Sequence, residues 1–296
     1  MKQVEELNVK IADEWKNVIV ARIKEGDEWK VSHVKYQRHD ITISSNTTNY
    51  VLRTELNNLG ASPGTLPQHV NITIEPGVFL FGTSTTSPAL DLSTLNVLRS
   101  IFRHKVRILI KDGGGIIGSS GAKGTTTPAT RTGSSGGNGG NAIKTGNGVD
   151  LFIENYGTIS GGGGGGGAGG FPVNGSTESL AGGNGGHGAG YNTTLGYITE
   201  NSSNRNGTDS AVNYGIHGGD GGLLGQLGIG AGGFNDSPAA GTNDISEPNP
   251  GTNYTQYGQS GDGGIPGSAI IGYDAARITF INTGSVYGDS AYKFKA

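Results

Sequence analysis

Three segments of the chain share one alternation of apolar and polar residues. They are VRILIKDGGGIIG (106–118), VDLFIENYGTISG (149–161) and ARITFINTGSVYG (276–288), and they align without a gap. In each, two short alternating stretches flank an Asp or Asn that is followed two residues later by glycine, at Asp112, Asn155 and Asn282. Alternation is typical of strands and an Asx-Gly pair favours a turn, so each segment predicts two short strands that reverse there.

The N-terminal part shows related β signals. HVNITIEPGVFLFG (69–82) alternates around Pro76-Gly77 and predicts a strand, a turn and a strand, whereas the polar stretch before it, up to about residue 68, predicts irregular structure. DEWK occurs at 13–16 and again at 27–30. This repeat favours two short β units in tandem, with second strands opened by Trp15 and Trp29; the alternative is a charged amphipathic helix through residues 2–25.

Glycine recurs at every third position in the second half of the chain. The repeats lie at 115, 118, 121 and 124; at 133, 136 and 139; at 182, 185 and 188; at 219, 222, 225 and 228; and at 258, 261, 264 and 267. Three is the repeat of the polyproline II helix, which has no internal hydrogen bonds. Its amides and carbonyls must pair with neighbouring chains, and that approach is close only where side chains are missing. The period therefore predicts packed polyglycine II helices.

Three alternatives compete with this lattice. A disordered glycine linker is one, because ordering glycine costs the most backbone entropy. The runs are nevertheless short, similar in length and bracketed by apolar β units that a linker would not need. Collagen is excluded because the period breaks repeatedly and proline is scarce, and a calcium-binding nonapeptide array lacks its nine-residue period beyond 218–221.

Composition places a boundary near residue 112. Of the 57 glycines, 52 follow residue 112, and 14 of the 21 Lys and Arg precede it. We therefore expect three regions, 1–68, 69–112 and 113–296, in a mostly β and irregular fold with little α-helix. The scarcity of cations in the glycine-rich region argues against nucleic acid as a partner.

The absence of cysteine excludes disulfides and thiolate metal sites. The sequence also has no apolar stretch near 20 residues and no signal sequence, so we expect synthesis in the cytoplasm.

No catalytic constellation is present in the sequence. The chain has no HExxH, GxSxG or phosphate-binding Gly-Lys-Ser/Thr motif. His187 and His217 border glycine runs and predict hydrogen-bonded surface groups, and Asp220 and Asp262 predict turn or cap residues rather than a carboxylate pair. We predict no enzymatic activity, no metal and no cofactor.

The segments between glycine runs resemble binding loops. Residues 119–132, 171–181, 191–217 and 234–257 combine small polar residues with aromatics, the composition that gives rigid contact area at low entropic cost. The candidate receptor-binding residues are Arg131, Phe171, Tyr191, Tyr197, Arg205, Tyr214, Phe234, Tyr254 and Tyr257. Alternatively, some of these rings pack on the lattice and cap its ends. If the glycine helices alternate in direction, 191–217 needs a further crossing strand to reach the same end as 171–181.

From about residue 69 to 296 the chain resembles the adhesins at the tips of the long tail fibres of T-even-like bacteriophages and related glycine-rich phage tail-tip proteins. The resemblance rests on VNITIEPGVFLFG (70–82), SPALDL (87–92), the three strand units and the GGNGG and polyglycine runs. It implies a sandwich of polyglycine II helices whose loops contact an outer-membrane protein or lipopolysaccharide of the host, at the distal end of the tail or tail fibre.

The first 68 residues do not match the fibre-docking part of that family; we expect them to attach the protein to a phage tail fibre or tail-tip protein.

The leading hypothesis is thus a receptor-binding protein that cleaves no bond. Two other classes remain open from the residues alone. A structural or ice-binding glycine-helix protein would need a repetitive face, and a polysaccharide depolymerase would need carboxylates brought together in space.

Overall fold

The structure is a computed structural model that describes residues 8–11, 14–17, 20–25, 27–95, 102–127, 132–169, 172–174, 184–208, 218–229, 254–257, 260–272 and 277–288. Four antiparallel strands come first. β1 (Asn8–Ile11) pairs with β2 (Glu14–Asn17), and β3 (Val20–Glu25) pairs with β4 (Glu28–Val34). The two tandem β units predicted from the DEWK repeat are confirmed, and the helix alternative is wrong for the described residues of this region.

The middle of the chain is a parallel solenoid of five rungs. In the described residues, each rung starts with a long strand and continues into a short strand of a second sheet, and the first four rungs also contribute a short strand to a third sheet. The long strands are β5 (Gln37–Ile43), β8 (Gln68–Ile74), β11 (His104–Ile110), β16 (Val149–Asn155) and β23 (Ile278–Asn282).

The second sheet contains β6 (Thr47–Thr48), β9 (Phe79–Phe81), β12 (Gly115–Ile117), β17 (Thr158–Ser160) and β24 (Ser285–Tyr287). The third contains β7 (Tyr50–Val51), β10 (Leu90–Asp91), β15 (Ile143–Lys144) and β22 (Ile270–Ile271).

In-register stacking of apolar residues builds the solenoid core. Ile41, Ile72, Ile108 and Ile153 occupy equivalent positions on four successive long strands, and each is buried. Period-two alternation directs every second side chain into the core, so identical patterns on successive rungs form apolar columns. The short helix α1 (Leu52–Asn58) adds Leu52 and Leu56 to the same core.

Two sequence-based predictions about this region are wrong in detail. The strands of each unit do not reverse on each other, because the second strand turns a corner into a different parallel sheet. Asn155 stabilises such a corner: its amide oxygen accepts from the Gly157 amide at 3.1 Å, and its side-chain nitrogen donates to Asn282 at 2.7 Å. The stretch up to residue 68 is also not irregular, since β5, β6, β7 and α1 form the first rung.

Glycine-rich segments extend from the third and fourth rungs. Residues 118–125 continue directly from β12 and 161–169 from β17, while 134–142 and 260–269 lead back into β15 and β22. We call the end where these segments meet the strands the proximal end and the opposite end the distal end. Strands from both sides of residues 68 and 112 pair within the same sheets. The division into the regions 1–68, 69–112 and 113–296 stays a prediction.

Residues 161–169, the central segment, are surrounded by six neighbours. Successive amides donate to three of them in turn: Gly162 to Gly140, Gly163 to Ala189, and Gly164 to Gln226. The pattern then repeats from Gly165, and the carbonyls accept in the same rotation from 118–124, 218–225 and 260–268. These bonds measure 2.7–3.0 Å.

The central segment has no room for side chains. Cβ atoms added at 161, 164 and 167 would overlap carbonyls of 261–267, those at 162 and 165 would overlap 119–122, and those at 163 and 166 would overlap 219–222. At each successive residue a different one of these three neighbours occupies the position of the side chain. Every residue from 161 to 167 is therefore glycine. Ala168 ends that run.

We expect Gly165→Ala to destabilise the protein by about 3 kcal/mol or more, since the new methyl group meets the Ala122 backbone, which cannot rotate away. The matched control is Gly64→Ala, where the nearest atom lies 4.0 Å from the added Cβ and belongs to the flexible Arg53 side chain. Thermal unfolding followed by calorimetry compares the two. Equal unfolding temperatures for the variants would show that the central segment is not tightly packed.

Candidate functional site

Four connections leave the lattice at its distal end. The chain departs after Thr125, Gly169, Thr208 and Ile229, and the described chain resumes in the lattice near 134, 184, 218 and 260. The first connection starts and ends in a strand pair, β13 (Thr126–Thr127) with β14 (Thr132–Gly133).

The second and fourth connections are joined by a further strand pair. β18 (Pro172–Asn174) is antiparallel to β21 (Tyr254–Tyr257), with Pro172 opposite Tyr257 and Asn174 opposite Tyr254. Backbone pairing thus holds together two segments that are about 80 residues apart in the chain.

Asn184 links the other connections. Its side-chain oxygen accepts from the Thr126 amide at 3.2 Å, its amide donates to the Thr208 hydroxyl at 2.8 Å, and its carbonyl accepts from the Thr208 amide at 2.8 Å. One residue therefore connects the bases of the first, second and third connections. No pattern in the sequence indicates this role, because Asn184 is indistinguishable from the other polar residues inside glycine runs.

Segment 191–217 contains the additional crossing that the alternating directions of the glycine helices require. β19 (Gly190–Asn192) and β20 (Gly196–Ile198) form a proximal hairpin. Residues 202–208, the crossing segment, then run antiparallel to 184–189. The backbone amide of His187 donates to the Asn204 carbonyl, and the backbone amide of Thr208 donates to the Asn184 carbonyl, both at 2.8 Å. The crossing segment includes the single turn of 3₁₀ helix η1 (Ser203–Arg205). A single long segment therefore serves both ends of the lattice.

The run 218–229 also differs from its sequence pattern. Glycine repeats at 219, 222, 225 and 228, yet the chain turns at Leu224-Gly225, where Gly225 has a φ of 65°. Residues 218–223 run antiparallel to the central segment and 226–229 run parallel to it. The left-handed φ that glycine allows lets one periodic run supply two lattice segments.

The structure places the predicted receptor-binding residues at different ends. Tyr254 and Tyr257 lie on the distal strand β21, and only their backbone is described. Arg131, Phe171, Tyr214 and Phe234 lie outside the described residues. The contact of all these residues with a receptor stays a prediction.

Tyr191 and Tyr197 lie on the proximal hairpin, away from the distal connections. The Tyr191 ring stacks on Phe81 with centroids 4.8 Å apart, and Tyr197 packs against Phe79 at 5.5 Å. Burial, followed by the nearby Glu200 charge, raises the pKa of the Tyr197 hydroxyl. The hairpin and the second sheet thus close a small core with Ile117. This packing agrees with the alternative in which some loop rings cap the lattice.

Arg205 holds the crossing segment in place. Its guanidinium donates to the carbonyl of Gly221 at 2.9 Å and also to that of Glu200, while its own carbonyl accepts from the Gly221 amide at 2.7 Å. These contacts give Arg205 a structural function within the lattice. A receptor contact by Arg205 stays a prediction.

Asp220 and Asp262, two acidic residues within glycine runs, accept hydrogen bonds from neighbouring lattice segments. An Asp220 carboxylate oxygen accepts from the Gly207 amide at 2.7 Å, and the Asp262 carbonyl accepts from Gly136 at 2.8 Å. Within the described ranges, no group of three or more His, Asp or Glu is placed to hold a metal ion. In the same part of the chain, no helix has the length and apolar character to cross a membrane.

The fold places His187 in an environment that disfavours the charged imidazole. Burial, and next the positive charge of Lys123, lower the pKa of the imidazole, while the Gly121 backbone acts in the opposite direction. Its Nδ1 is buried and has no hydrogen-bond partner among the described atoms. The folded protein therefore favours neutral His187 more than the unfolded chain does.

We expect the contribution of His187 to the free energy of unfolding to be fully present above pH 6.5, the ordinary pKa of histidine. It should decrease below that pH, because the unfolded chain then binds a proton more readily than the folded protein does. His187→Gln should flatten the decrease in unfolding temperature between pH 8 and 5.5. His69→Gln is the comparison variant: burial also lowers the pKa of His69, so this substitution on the solenoid should flatten the profile by its own contribution, and the double variant should flatten it further than either single variant. A His187→Gln profile identical to the parent's would contradict the assignment.

Comparisons with known proteins identify similar chains. A family model described as phage tail fibre adhesin Gp38 matches residues 38–291. Among solved structures, the chain is similar to the gp37–gp38 adhesin tip complex of the bacteriophage S16 long tail fibre. The identity is 21%, the match covers 87% of this chain and 83% of that chain, and the TM-score is 0.46. A search of curated proteins gave no match.

Proposed function

Because this chain belongs to the phage tail fibre adhesin Gp38 family, we propose that it contacts its host receptor through the four distal connections of the lattice. The observation that carries this proposal is their convergence: Asn184 links three of them and the β18–β21 pair joins the fourth. Described residues of all four connections, from Thr126 to Tyr257, are thus linked to one another at the distal end.

Family membership confirms the resemblance inferred from the residues. It also confirms the prediction of a receptor-binding adhesin rather than an enzyme. The receptor itself, an outer-membrane protein or lipopolysaccharide of the host, belongs to the proposal. The distal segments have the Tyr, Asn, Ser and Gly content suited to either.

The scaffold of this surface is, in our proposal, a sandwich of polyglycine II helices. Three features support it: hydrogen bonds that rotate through three neighbours with a period of three residues, side-chain positions blocked with the same period, and bonds that run between segments rather than within them. The alternation of segment directions brings every second connection to the distal end.

Such a scaffold lowers the entropic cost of binding. Connections anchored at both ends on a hydrogen-bonded lattice lose less freedom on binding than free loops would. Several copies on one virion would add avidity to weak individual contacts.

For attachment, we propose that the N-terminal region binds a phage tail fibre protein and so places the adhesin at the fibre tip. Residues 1–37 precede the part matched by the family, and the two hairpins β1–β2 and β3–β4 form there, before the first rung. The similar S16 protein is described in complex with gp37 at the tip of a long tail fibre, and this chain would use an equivalent partner.

The double substitution Tyr254→Ala/Tyr257→Ala tests the distal surface. We expect binding to intact Gram-negative cells that bind the parent to weaken at least about tenfold, the effect of losing about 1.4 kcal/mol from aromatic contacts. The matched control is Tyr156→Ala/Tyr287→Ala, which removes two exposed tyrosines from the solenoid and should leave binding within about twofold.

Flow cytometry with labelled protein measures the binding, and thermal unfolding verifies that each variant is folded. Cells treated with protease, and cells with truncated lipopolysaccharide, separate a protein receptor from a sugar receptor. Equal losses in the two double variants, or a distal variant that binds like the parent, would contradict the distal assignment.

A further inference from the structure

A cleft lies at the proximal end, where the β19–β20 hairpin meets the first two rungs of the solenoid. It has a volume of about 430 Å³ and is lined by four aromatic rings, those of Phe79, Phe81, Tyr191 and Tyr197. A volume in this range suits a small organic ligand. The distal connections make no contribution to its lining.

The rings form an ordered platform. Phe79 and Phe81 are stacked with 14° between their planes, and Tyr197 leans on both at about 45°, with centroids 5.5 and 5.4 Å away. Phe81 is buried, whereas Phe79 and Tyr197 are only partly buried and line the open side. Gly115 lets Phe79 lie across the neighbouring strand, since a Cβ there would be 2.9 Å from the ring.

Uncharged polar groups form a second wall of the cleft. Asn46, Thr47 and Thr48 line the cleft, and Asn46 and Thr48 are exposed. The side-chain oxygen of Asn46 accepts from the Phe79 amide at 2.8 Å, which directs the amide nitrogen away from that bond. The Thr47 hydroxyl donates to the Ser45 carbonyl at 3.1 Å, so its oxygen is able to accept. The wall therefore combines donors and acceptors.

No Lys, Arg, Asp or Glu is among the lining residues of this cleft in the described chain. An anionic or cationic ligand would lose hydration without gaining an opposite charge. A ligand with an apolar C–H face and several hydroxyl groups matches both walls. That combination is characteristic of a neutral pyranose.

We propose that this cleft binds a neutral hexose unit of a surface oligosaccharide, with its C–H face on Phe79 and Tyr197 and its hydroxyls on Asn46 and Thr48. The site goes beyond the receptor contact proposed above, because it lies at the other end of the lattice and uses different residues. Tyr191 and Tyr197, which the sequence predicts to bind the receptor, would then line a second ligand site.

Saturation-transfer NMR with the full-length protein tests the proposal, using lactose, maltose and chitobiose as neutral probes at up to 10 mM. We expect millimolar binding of at least one disaccharide, as is usual for a site of this size with few polar contacts. Thr48→Arg, which fills the cleft and adds a charge, should weaken it at least about tenfold.

The matched control is Thr42→Arg, on another exposed threonine, which lies on β5 outside the cleft, and it should bind like the parent. Tyr197→Leu, which keeps an apolar side chain in the small core, should also weaken binding. Failure of all three disaccharides to bind, or equal binding by Thr48→Arg and the parent, would overturn the proposal. Cell binding through Tyr254 and Tyr257 would be unaffected by that result, so the two proposals fail separately.

Discussion

The structure depends on backbone hydrogen bonds between chain segments that have no side chains to separate them. Each amide and carbonyl of the central segment must find a partner in another segment, because the extended glycine conformation offers none within its own. Six neighbours meet that demand in rotation. Any Cβ on residues 161–167 would break this arrangement, so the composition of this stretch follows from the geometry of its surroundings.

The solenoid supplies the register that glycine lacks. A run of identical residues could slide along its neighbours without a change in its own chemistry. The central segment is fixed because β17 precedes it, and β17 is aligned with β12 and β24 through stacked apolar residues such as Ile116 and Ile159. The apolar core therefore sets the positions of segments to which it contributes no side chain.

The hydrogen-bonded lattice and the distal connections thus have different requirements on sequence. Hydrogen bonding of the lattice involves backbone atoms, so the connections at the distal end are free to differ in sequence as long as their ends return to the same places. The proximal end is closed by packed rings of Phe81 and Tyr191. In the proposed mode of binding, the distal connections contact the host from a scaffold that is already ordered, so binding costs little further ordering of that scaffold.

The sequence alone determined the family and many of the local elements, although not those of the first rung, β5 to β7 and α1. Alternation at 106–118 and 149–161 predicted strands, the DEWK repeat predicted paired β units, and the period of three predicted close-packed glycine segments, because these signals depend on neighbours in the chain. Only the tertiary structure decided which segments meet. The turn of β11 and β12 into separate parallel sheets, the crossing segment 202–208, and the separation of Tyr197 from Tyr254 all depend on long-range backbone pairing. Glycine-glycine pairing has no side-chain code, so no residue pattern could have specified its partners.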